Sequence, residues 1–318
     1  MQVTLFNLGL VFNFYILICK VKDKTCIIIV GPTAVGKTGL AIQVAQHFST
    51  KIISADSRQC YKELGIGVAK PSAEELQSVQ HYFIDSHSIN EEVNAAVFEQ
   101  YALQKVNAVF ENNDIAVMVG GTGLYVKAFC DGIDLLPAID SSIREKIIKE
   151  YEANGLAYLQ KQVEENDPKY FAAGEIKNPQ RLMRALEVKL STGKSILDFQ
   201  TKQKKERDFN IIKIGLELPK EQLYQNINTR VDIMVQQGLV EDAQQLLPYQ
   251  NLNALQTVGY KELFEYFNGE SRLEQAIEKI KLNTRHYAKR QMTWFRKDAE
   301  VKWYSPLDIE GVFACIKM

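Results

Sequence analysis

The amino-acid sequence predicts an α/β fold in which a parallel sheet is flanked by helices and carries an all-helical insertion. The run Cys26–Val30 is continuously apolar and mostly β-branched, which is typical of a strand buried in a parallel sheet. The runs Lys51–Ala55 and Ile115–Val119 also resemble buried strands, and segments with helical spacing separate them. Between Asp131 and Ile211 the chain has little strand character, which predicts helices inserted into the sheet domain.

The other elements of the predicted core follow in chain order. Ser72–Gln80 is expected to form a loop and a short helix, and Tyr82–Ile84 a short strand. Apolar residues recur at helical spacing through Glu91–Glu111, which predicts a long helix. The strand pattern resumes at Ile211–Leu218. The C-terminal part predicts helices and a final strand, at Lys220–Gln237, Val240–Leu247, Tyr260–Phe267, Ser271–Lys297 and, for the strand, Val301–Tyr304.

The insertion predicts helices at Ser141–Glu152, Gly155–Glu165 and Pro179–Ser191. Ser141 and Ser142 are suited to cap the first helix, and Pro179 suits the first turn of the third. We therefore expect residues 25–130 and 211–318 to form the core, and residues 131–210 to form the insertion.

The first residues need a separate interpretation. Met1–Cys19 is apolar and has no charged side chain. It lacks the basic start and the small-residue cleavage site of a signal peptide. As a membrane span it is short and contains Asn7 and Asn13. We expect residues 1–24 to be an extension ahead of the fold, with no membrane association.

Composition excludes several classes of protein. The 318 residues are 46% hydrophobic and 24% charged, which is ordinary for a globular chain with a sizeable core. The net charge of −1 gives no global signal for nucleic acid. The five cysteines are scattered and form no C-x-x-C pair, which argues against a disulfide framework or a zinc finger. We expect a cytoplasmic monomer.

The segment that follows the first strand has the pattern G-x-x-x-x-G-K-[ST]. A strand, a glycine loop and a helix are the context in which this pattern binds phosphates. Backbone N–H groups and the helix N-terminus would hold a di- or triphosphate, Lys37 would add a charge, and the Thr38 hydroxyl could bind Mg²⁺. The sequence thus predicts a P-loop NTPase-like core with this loop: Gly31, Pro32, Thr33, Ala34, Val35, Gly36, Lys37 and Thr38.

Two other strands end in polar or glycine-rich turns. Asp56–Gln59 follows the second strand, and Gly120–Tyr125 follows Ile115–Val119. Ligands of open α/β sheets bind at the carboxyl ends of the strands, so both turns are expected beside the phosphate loop. Local charge adds a second signal, because Lys177–Arg207 contains nine Lys or Arg and three Asp or Glu, and Arg272–Lys302 nine and four. A solvated helix face and a nucleic-acid surface both explain such stretches.

These motifs together resemble the tRNA dimethylallyltransferases, also called tRNA isopentenyltransferases, of the bacterial type. The resemblance extends from about Cys26 to Tyr304 and leaves out the first two dozen residues. Besides the phosphate loop, it rests on Asp56–Gln59, Gly120–Tyr125, Asn178–Glu187, Arg230–Met234 with Gly238-Leu239, Thr257–Tyr260, and Lys289–Gln291 with Trp294.

The resemblance implies transfer of the dimethylallyl group of dimethylallyl diphosphate to N6 of the adenosine 3′ of the tRNA anticodon. Mg²⁺, Lys37 and the loop would stabilise the departing diphosphate, and Asp56 would take a proton from the amine. By resemblance Thr122 would hydrogen-bond near that amine, and Arg230 would clamp phosphate. The expected contacts to the tRNA anticodon stem-loop are Asp56, Ser57, Arg58, Gln59, Thr122, Arg144, Gln180, Arg181, Leu182, Met183 and Arg184.

Other interpretations remain for these residues. Asp56 could instead be a magnesium ligand or a helix cap, Thr122 a capping residue, and Arg181 and Arg184 partners in surface salt bridges. The same transfer to free adenine nucleotides is the first alternative function. A P-loop kinase or NTPase that binds ATP, and a non-catalytic RNA-binding module, are the others.

Overall fold

A computed structural model describes residues 24–134, 136, 139–201 and 203–316, so the predicted extension at residues 1–24 lies almost entirely outside the described residues. Six parallel strands form one sheet in the order β3-β2-β4-β1-β5-β6, and the predicted fold class is confirmed. The strands are β1 Thr25–Val30, β2 Ile52–Ser54, β3 His81–Tyr82, β4 Ile115–Gly120, β5 Asn210–Leu216 and β6 Val301–Tyr304.

Helices cover both faces of the sheet. In chain order they are α1 Lys37–His47, α2 Ala73–Ser78, α3 Ala95–Phe110, α4 Gly123–Asp131, α5 Ser141–Asn166, α6 Pro168–Ala173, α7 Pro179–Thr192, α8 Lys220–Gln236, α9 Leu239–Leu246, α10 Tyr260–Phe267, α11 Leu273–Phe295 and α12 Ile309–Ile316. Within the described ranges, no helix combines the length and the apolar character that crossing a membrane requires. The short helices α6 and α12 are absent from the sequence-based prediction.

The central strand β1 shows why its sequence is apolar throughout. Cys26, Ile28 and Val30 pack into the hydrophobic cluster on one face of the sheet, and Ile27 and Ile29 into the cluster on the other. Successive side chains of a strand point to opposite faces, and here both faces are covered by helices. Both neighbours of β1 are parallel to it, which places the ends of β1, β4 and β5 at one edge.

The insertion has a hydrophobic cluster of its own between α5 and α7, which contains Leu159, Leu182 and Met183. Within α5, Gly155 has φ +74° and breaks the helix where the sequence predicts two. The predicted serine cap is wrong, because Asp140 is the capping residue and its carboxylate accepts from the Ser142 N–H at 2.9 Å.

A buried carboxylate, Glu99 of α3, ties both connections of the insertion to the core. It accepts from the Ile133 N–H at 3.0 Å on the outgoing chain and from the Arg207 guanidinium at 2.9 Å on the returning chain. The Arg207 guanidinium also donates to the Phe129 carbonyl at 2.8 Å. These bonds fix the position at which the insertion leaves and rejoins the sheet domain.

Candidate active site

The phosphate loop connects β1 to α1 as its motif predicts. Gly31 has φ +145°, and a Cβ there would lie 2.6 Å from the Leu216 carbonyl oxygen of β5. Gly36 has φ +99° and immediately precedes α1, which begins at Lys37. Both positions therefore need glycine, one for close approach and both for a positive φ. The loop amides and the start of α1 form the kind of concave surface that binds phosphate oxygens.

The Lys37 side chain folds back against the phosphate loop. Its Nζ donates to the Pro32 carbonyl oxygen at 2.6 Å. Burial, followed by the nearby positive charge of Arg230, lowers the pKa of Lys37 to about 7, and the opposite charge of Asp56 offsets part of that effect. Lys37 is therefore a group whose charge responds to an anion placed beside it.

Arg230 of α8 lies between the phosphate loop and Asp56. Its Nη1 is 3.5 Å from the Thr33 hydroxyl, and it lines cavities on both sides of the loop. Burial lowers the pKa of Arg230 from its usual value, whereas the charge of Asp56 raises it. An arginine remains charged under such a shift, so this position provides a fixed cation for a diphosphate.

Asp56 is held by the turn that follows β2. Its Oδ1 accepts from the N–H groups of Arg58 at 2.8 Å and of Gln59 at 3.3 Å. This oxygen therefore caps a turn rather than the helix that one alternative interpretation expects. Among the described residues these hydrogen bonds use Oδ1 alone, which leaves Oδ2 to accept a proton in the cavity that Asp56 lines.

Thr122 faces Asp56's turn from the end of β4. Its Oγ1 accepts from the Ser57 N–H at 3.0 Å and lies 3.4 Å from the Ser57 hydroxyl. Thr122 precedes α4, but its hydroxyl makes no capping bond to that helix. Tyr287 of α11 hydrogen-bonds to Thr122, and burial, with the charge of Asp56, raises the pKa of Tyr287 to about 12. The tyrosine is therefore a neutral neighbour of the threonine.

The motif residues after Asp56 have different roles. Ser57 and Arg58 line the cavity, and the Arg58 guanidinium donates to the Asn253 carbonyl at 2.8 Å. Gln59 accepts from the Ser54 hydroxyl at 3.0 Å and donates to the Ala69 carbonyl at 2.9 Å. The Gln59 side chain therefore supports the turn from behind.

A cavity of about 300 Å³ is lined by several of the residues described above. Asp56, Arg230 and Tyr287 belong to its polar wall, together with two further arginines, Arg58 and Arg290. Another part of the wall is apolar, which suits a small hydrocarbon group next to a diphosphate. The apolar residues are Val68, Ala69, Val231, Met234, Leu239, Val258 and Ile280.

A second cavity of about 510 Å³ opens on the other side of the loop. Lys37, Thr38, Glu75 and Arg230 line it. The Thr38 hydroxyl has the donor chemistry that Mg²⁺ prefers. Within the described residues no group of three His, Cys, Asp or Glu side chains could hold a metal, so an ion at Thr38 would take most ligands from phosphate and water.

Gln291 of α11 is a site residue that sequence reasoning did not assign. Its Oε1 accepts from the Thr33 N–H at 2.8 Å, and its Nε2 donates to the Gly121 carbonyl at 3.0 Å. A Cβ at Gly121 would lie 2.0 Å from that Nε2, which explains the glycine. Gln291 belongs to a segment that supports the resemblance, but nothing in its pattern indicates this contact.

The predicted tRNA residues of the insertion divide into two groups. Arg144, Gln180 and Arg181 are exposed, whereas Leu182 and Met183 are buried in the insertion's cluster. The side chains of Leu182 and Met183 support α7 from inside, so direct contact with tRNA does not fit their position. The predicted salt-bridge alternative holds for Arg184, whose guanidinium lies 3.1 Å from the buried Glu187. Arg144 reaches the same carboxylate at 3.7 Å.

Comparison with known proteins identifies the family. Residues 59–298 match the family model described as IPP transferase. The tRNA dimethylallyltransferase of Christiangramia forsetii is 49% identical over 276 residues, which cover 87% of this chain and 91% of that protein. This chain belongs to the IPP transferase family. The family is one of transferases, and the tRNA dimethylallyltransferase of Cytophaga hutchinsonii is another similar member, 47% identical over 93% of this chain and 97% of its own.

Solved structures of the family share the fold. The tRNA isopentenylpyrophosphate transferase of Bacillus halodurans superposes with a TM-score of 0.67 at 36% identity, covering 93% of this chain and 94% of its own. A eukaryotic dimethylallyltransferase acting on tRNA gives a TM-score of 0.71 at 26% identity, covering 90% of this chain and 75% of its own. The predicted family resemblance is confirmed.

Proposed function

We propose that this protein transfers the dimethylallyl group of dimethylallyl diphosphate to N6 of the adenosine immediately 3′ of the anticodon in tRNA. One observation carries the proposal: Asp56, Thr122 and Arg230 meet beside the phosphate loop, around or next to one cavity with an apolar wall. The named relatives, tRNA dimethylallyltransferases, agree with this chemistry.

The phosphate loop would bind the diphosphate of the donor. Loop amides, Lys37 and Arg230 provide positive electrostatic potential where charge develops as the allylic C–O bond breaks. The dimethylallyl group would then lie against the apolar wall of the cavity of about 300 Å³. The same loop could hold the phosphates of ATP, so ATP is expected to compete with the donor.

Asp56 would act as the general base. As the adenine amine forms its bond to the allylic carbon, the diphosphate leaves with the electron pair of the broken C–O bond. The amine proton passes to Oδ2 of Asp56, because Oδ1 is held by the N–H groups of Arg58 and Gln59. Thr122, which accepts from the Ser57 N–H, would orient the amine beside the carboxylate.

Mg²⁺ bound at Thr38 would supply further charge neutralisation for the diphosphate. The target adenosine has to leave its stack to reach the cavity. The exposed Arg181 of α7 and the half-buried Arg184 would hold the RNA backbone outside the core. A tRNA substrate supports a cytoplasmic location for the proposed reaction, and we propose that the protein acts as a monomer.

The deciding experiment offers the purified protein three acceptors with dimethylallyl diphosphate and Mg²⁺. Unmodified tRNA is expected to gain one dimethylallyl group on the adenosine 3′ of the anticodon, detected by mass spectrometry of its nucleosides. Adenosine monophosphate and ATP are expected to remain unmodified. Preferential modification of the free nucleotides would establish the alternative acceptor. Phosphoryl transfer from ATP in the absence of the prenyl donor would establish a kinase instead.

A further inference from the structure

A cavity of about 510 Å³ lies beyond the glycine turn, and the proposed reaction does not use it. Its floor is apolar and consists of Val126, Cys130 and Phe295, all buried. Trp294 forms one side of it. The cavity is therefore a separate recess next to the turn that carries Thr122.

Trp294 is an unusual residue for its position. The side chain is 39% exposed, although large aromatic side chains are usually well covered. Its indole lies against Gly123, where a Cβ would be 2.2 Å from Trp294 Cδ1. Leu124, the next residue, is 49% exposed. Glycine at position 123 thus lets a flat, partly exposed indole lie on the backbone.

Helix α11 places this indole on the same helix face as two residues that contact the proposed reaction site. Tyr287 contacts Thr122, Gln291 contacts Gly121, and Trp294 contacts Gly123. The three α11 residues are spaced by four and three, so they occupy one face of the helix. The indole consequently lies against the residue that follows Thr122, next to the proposed acceptor site.

The charges around the recess allow a phosphate backbone to approach. Asp131 is paired with Lys127 at 2.6 Å and with Lys204 at 3.5 Å. Asp298 and Glu300 are each 2.7 Å from the buried Lys213. The carboxylates are thus neutralised by ion pairs, and Lys297 has no such pair among the described residues.

We propose that Trp294 forms a stacking surface for the base of a nucleotide that flanks the target adenosine. This inference rests on the proposed function. Extruding the target leaves a neighbouring base without one of its stacking partners, and an indole can replace that partner. Any base has a flat face, so the surface contributes affinity without reading sequence.

The test uses Trp294 itself as the reporter. The chain has two tryptophans, and Trp303→Phe leaves Trp294 as the single fluorophore. This variant is titrated with an anticodon stem-loop RNA, while anisotropy of a dye on the RNA stem reports binding independently. We expect quenching of Trp294 emission that follows binding. Removing one of the two bases that flank the target should abolish the quenching, namely the base that stacks on Trp294. Removing a base elsewhere in the loop should not.

A second measurement compares substitutions. Trp294→Ala is expected to weaken RNA binding about 5- to 150-fold, which corresponds to the usual effect of losing one base–aromatic stack. Trp294→Phe should retain most of the affinity, and the affinity for dimethylallyl diphosphate should not change. Tyr249→Ala is the matched control, because Tyr249 is an aromatic side chain with 47% exposure outside the cavities described above.

The outcomes separate this inference from the proposed function. If the RNA neither binds nor is modified, the proposed function fails. If the RNA binds and is modified while Trp294 emission stays constant, the stacking surface is wrong. Quenching that survives removal of both flanking bases would also overturn it, since Trp294 would then contact another part of the RNA. The fluorescence measurement retains Trp294, so it tests the stacking surface even if Trp294→Ala does not fold.

Discussion

The Gln291 side chain accepts from the Thr33 N–H at 2.8 Å, and so joins the phosphate loop to helix α11. Its amide also donates to the Gly121 carbonyl at 3.0 Å. One buried amide therefore sets the distance between the loop that would hold the diphosphate and the turn that carries Thr122. In the proposed reaction these two segments bring together the leaving group and the acceptor amine.

Gln291→Met is expected to reduce activity by loosening this connection. The variant leaves a loop N–H and a turn carbonyl without their partner, which costs about 1–3 kcal/mol for each group that stays buried. A misplacement of about 1 Å between reacting groups can cost roughly 10²-fold in rate. Steady-state kinetics with both substrates, and thermal unfolding, measure the two effects. Thr293→Val on the exposed side of α11 is the control, and unchanged kinetics for Gln291→Met would refute the connection.

Asp56→Asn tests the general base without removing the turn. The new side chain keeps an Oδ1 acceptor for the N–H groups of Arg58 and Gln59, so the turn should persist. Turnover is expected to fall by roughly 10²–10⁴, while tRNA and dimethylallyl diphosphate still bind. Single-turnover rates and equilibrium binding separate these quantities. A variant with near-normal turnover would exclude Asp56 as the base.

The parts of the site that the sequence predicts are those made by contiguous residues at strand ends. The phosphate loop, Asp56 and Thr122 fall into this class, because parallel strands bring their carboxyl ends to one edge. The bridge from Gln291 to Thr33 spans 258 residues, and no local pattern encodes it. It depends on how α11 packs against α4, α8 and α10, which only the folded chain specifies.

For the motif in α7, the sequence analysis predicted too many contacts rather than too few. Residues 180–184 are contiguous in sequence, and the family resemblance implied that all of them contact RNA. All of them lie in one helix, and the side chains of neighbouring helix residues point in different directions. The five side chains therefore do not share one surface. Leu182 and Met183 therefore face the insertion's cluster, whereas Arg181 is exposed. The missed helices α6 and α12 are six and eight residues long, but length alone does not explain the omission, because α10 also has eight residues and is predicted.

Binding of dimethylallyl diphosphate should depend on pH through Lys37. Its pKa is about 7 in the free protein, and a diphosphate beside it favours the charged form. Below pH 7 Lys37 is already protonated and binding takes up no proton there. Above pH 7 binding must add a proton, so affinity is expected to fall by up to about tenfold per pH unit.

Calorimetry at pH 8 in buffers of different ionisation enthalpy measures that proton uptake. The diphosphate titrates as well, so the quantity of interest is the difference between the parent protein and Lys37→Met. The variant should bind more weakly at pH 6.5 and lose the uptake at pH 8. Equal uptake by both proteins would assign the pH dependence to the ligand alone.

The last prediction separates tRNA from a free nucleotide as the acceptor, and it concerns Arg181 and Arg184. Arg184 is paired with the buried Glu187, so reversing its charge would place a second carboxylate there. We therefore choose Arg181→Glu with Arg184→Gln. The matched control is Lys261→Gln with Lys302→Gln, which alters two exposed cations of the core.

The insertion variant is expected to bind tRNA much more weakly and with a flatter salt dependence. Each lost contact between a cation and a phosphate reduces the slope of log affinity against log salt by about one unit. Affinity for dimethylallyl diphosphate should not change, because the site proposed for that ligand is Gly31–Thr38. A free nucleotide has no backbone for the insertion to hold, so its modification would be unaffected. If the variant binds and modifies tRNA as well as the parent does, or if the parent prefers a free nucleotide, the tRNA acceptor is wrong and the free-nucleotide alternative takes its place.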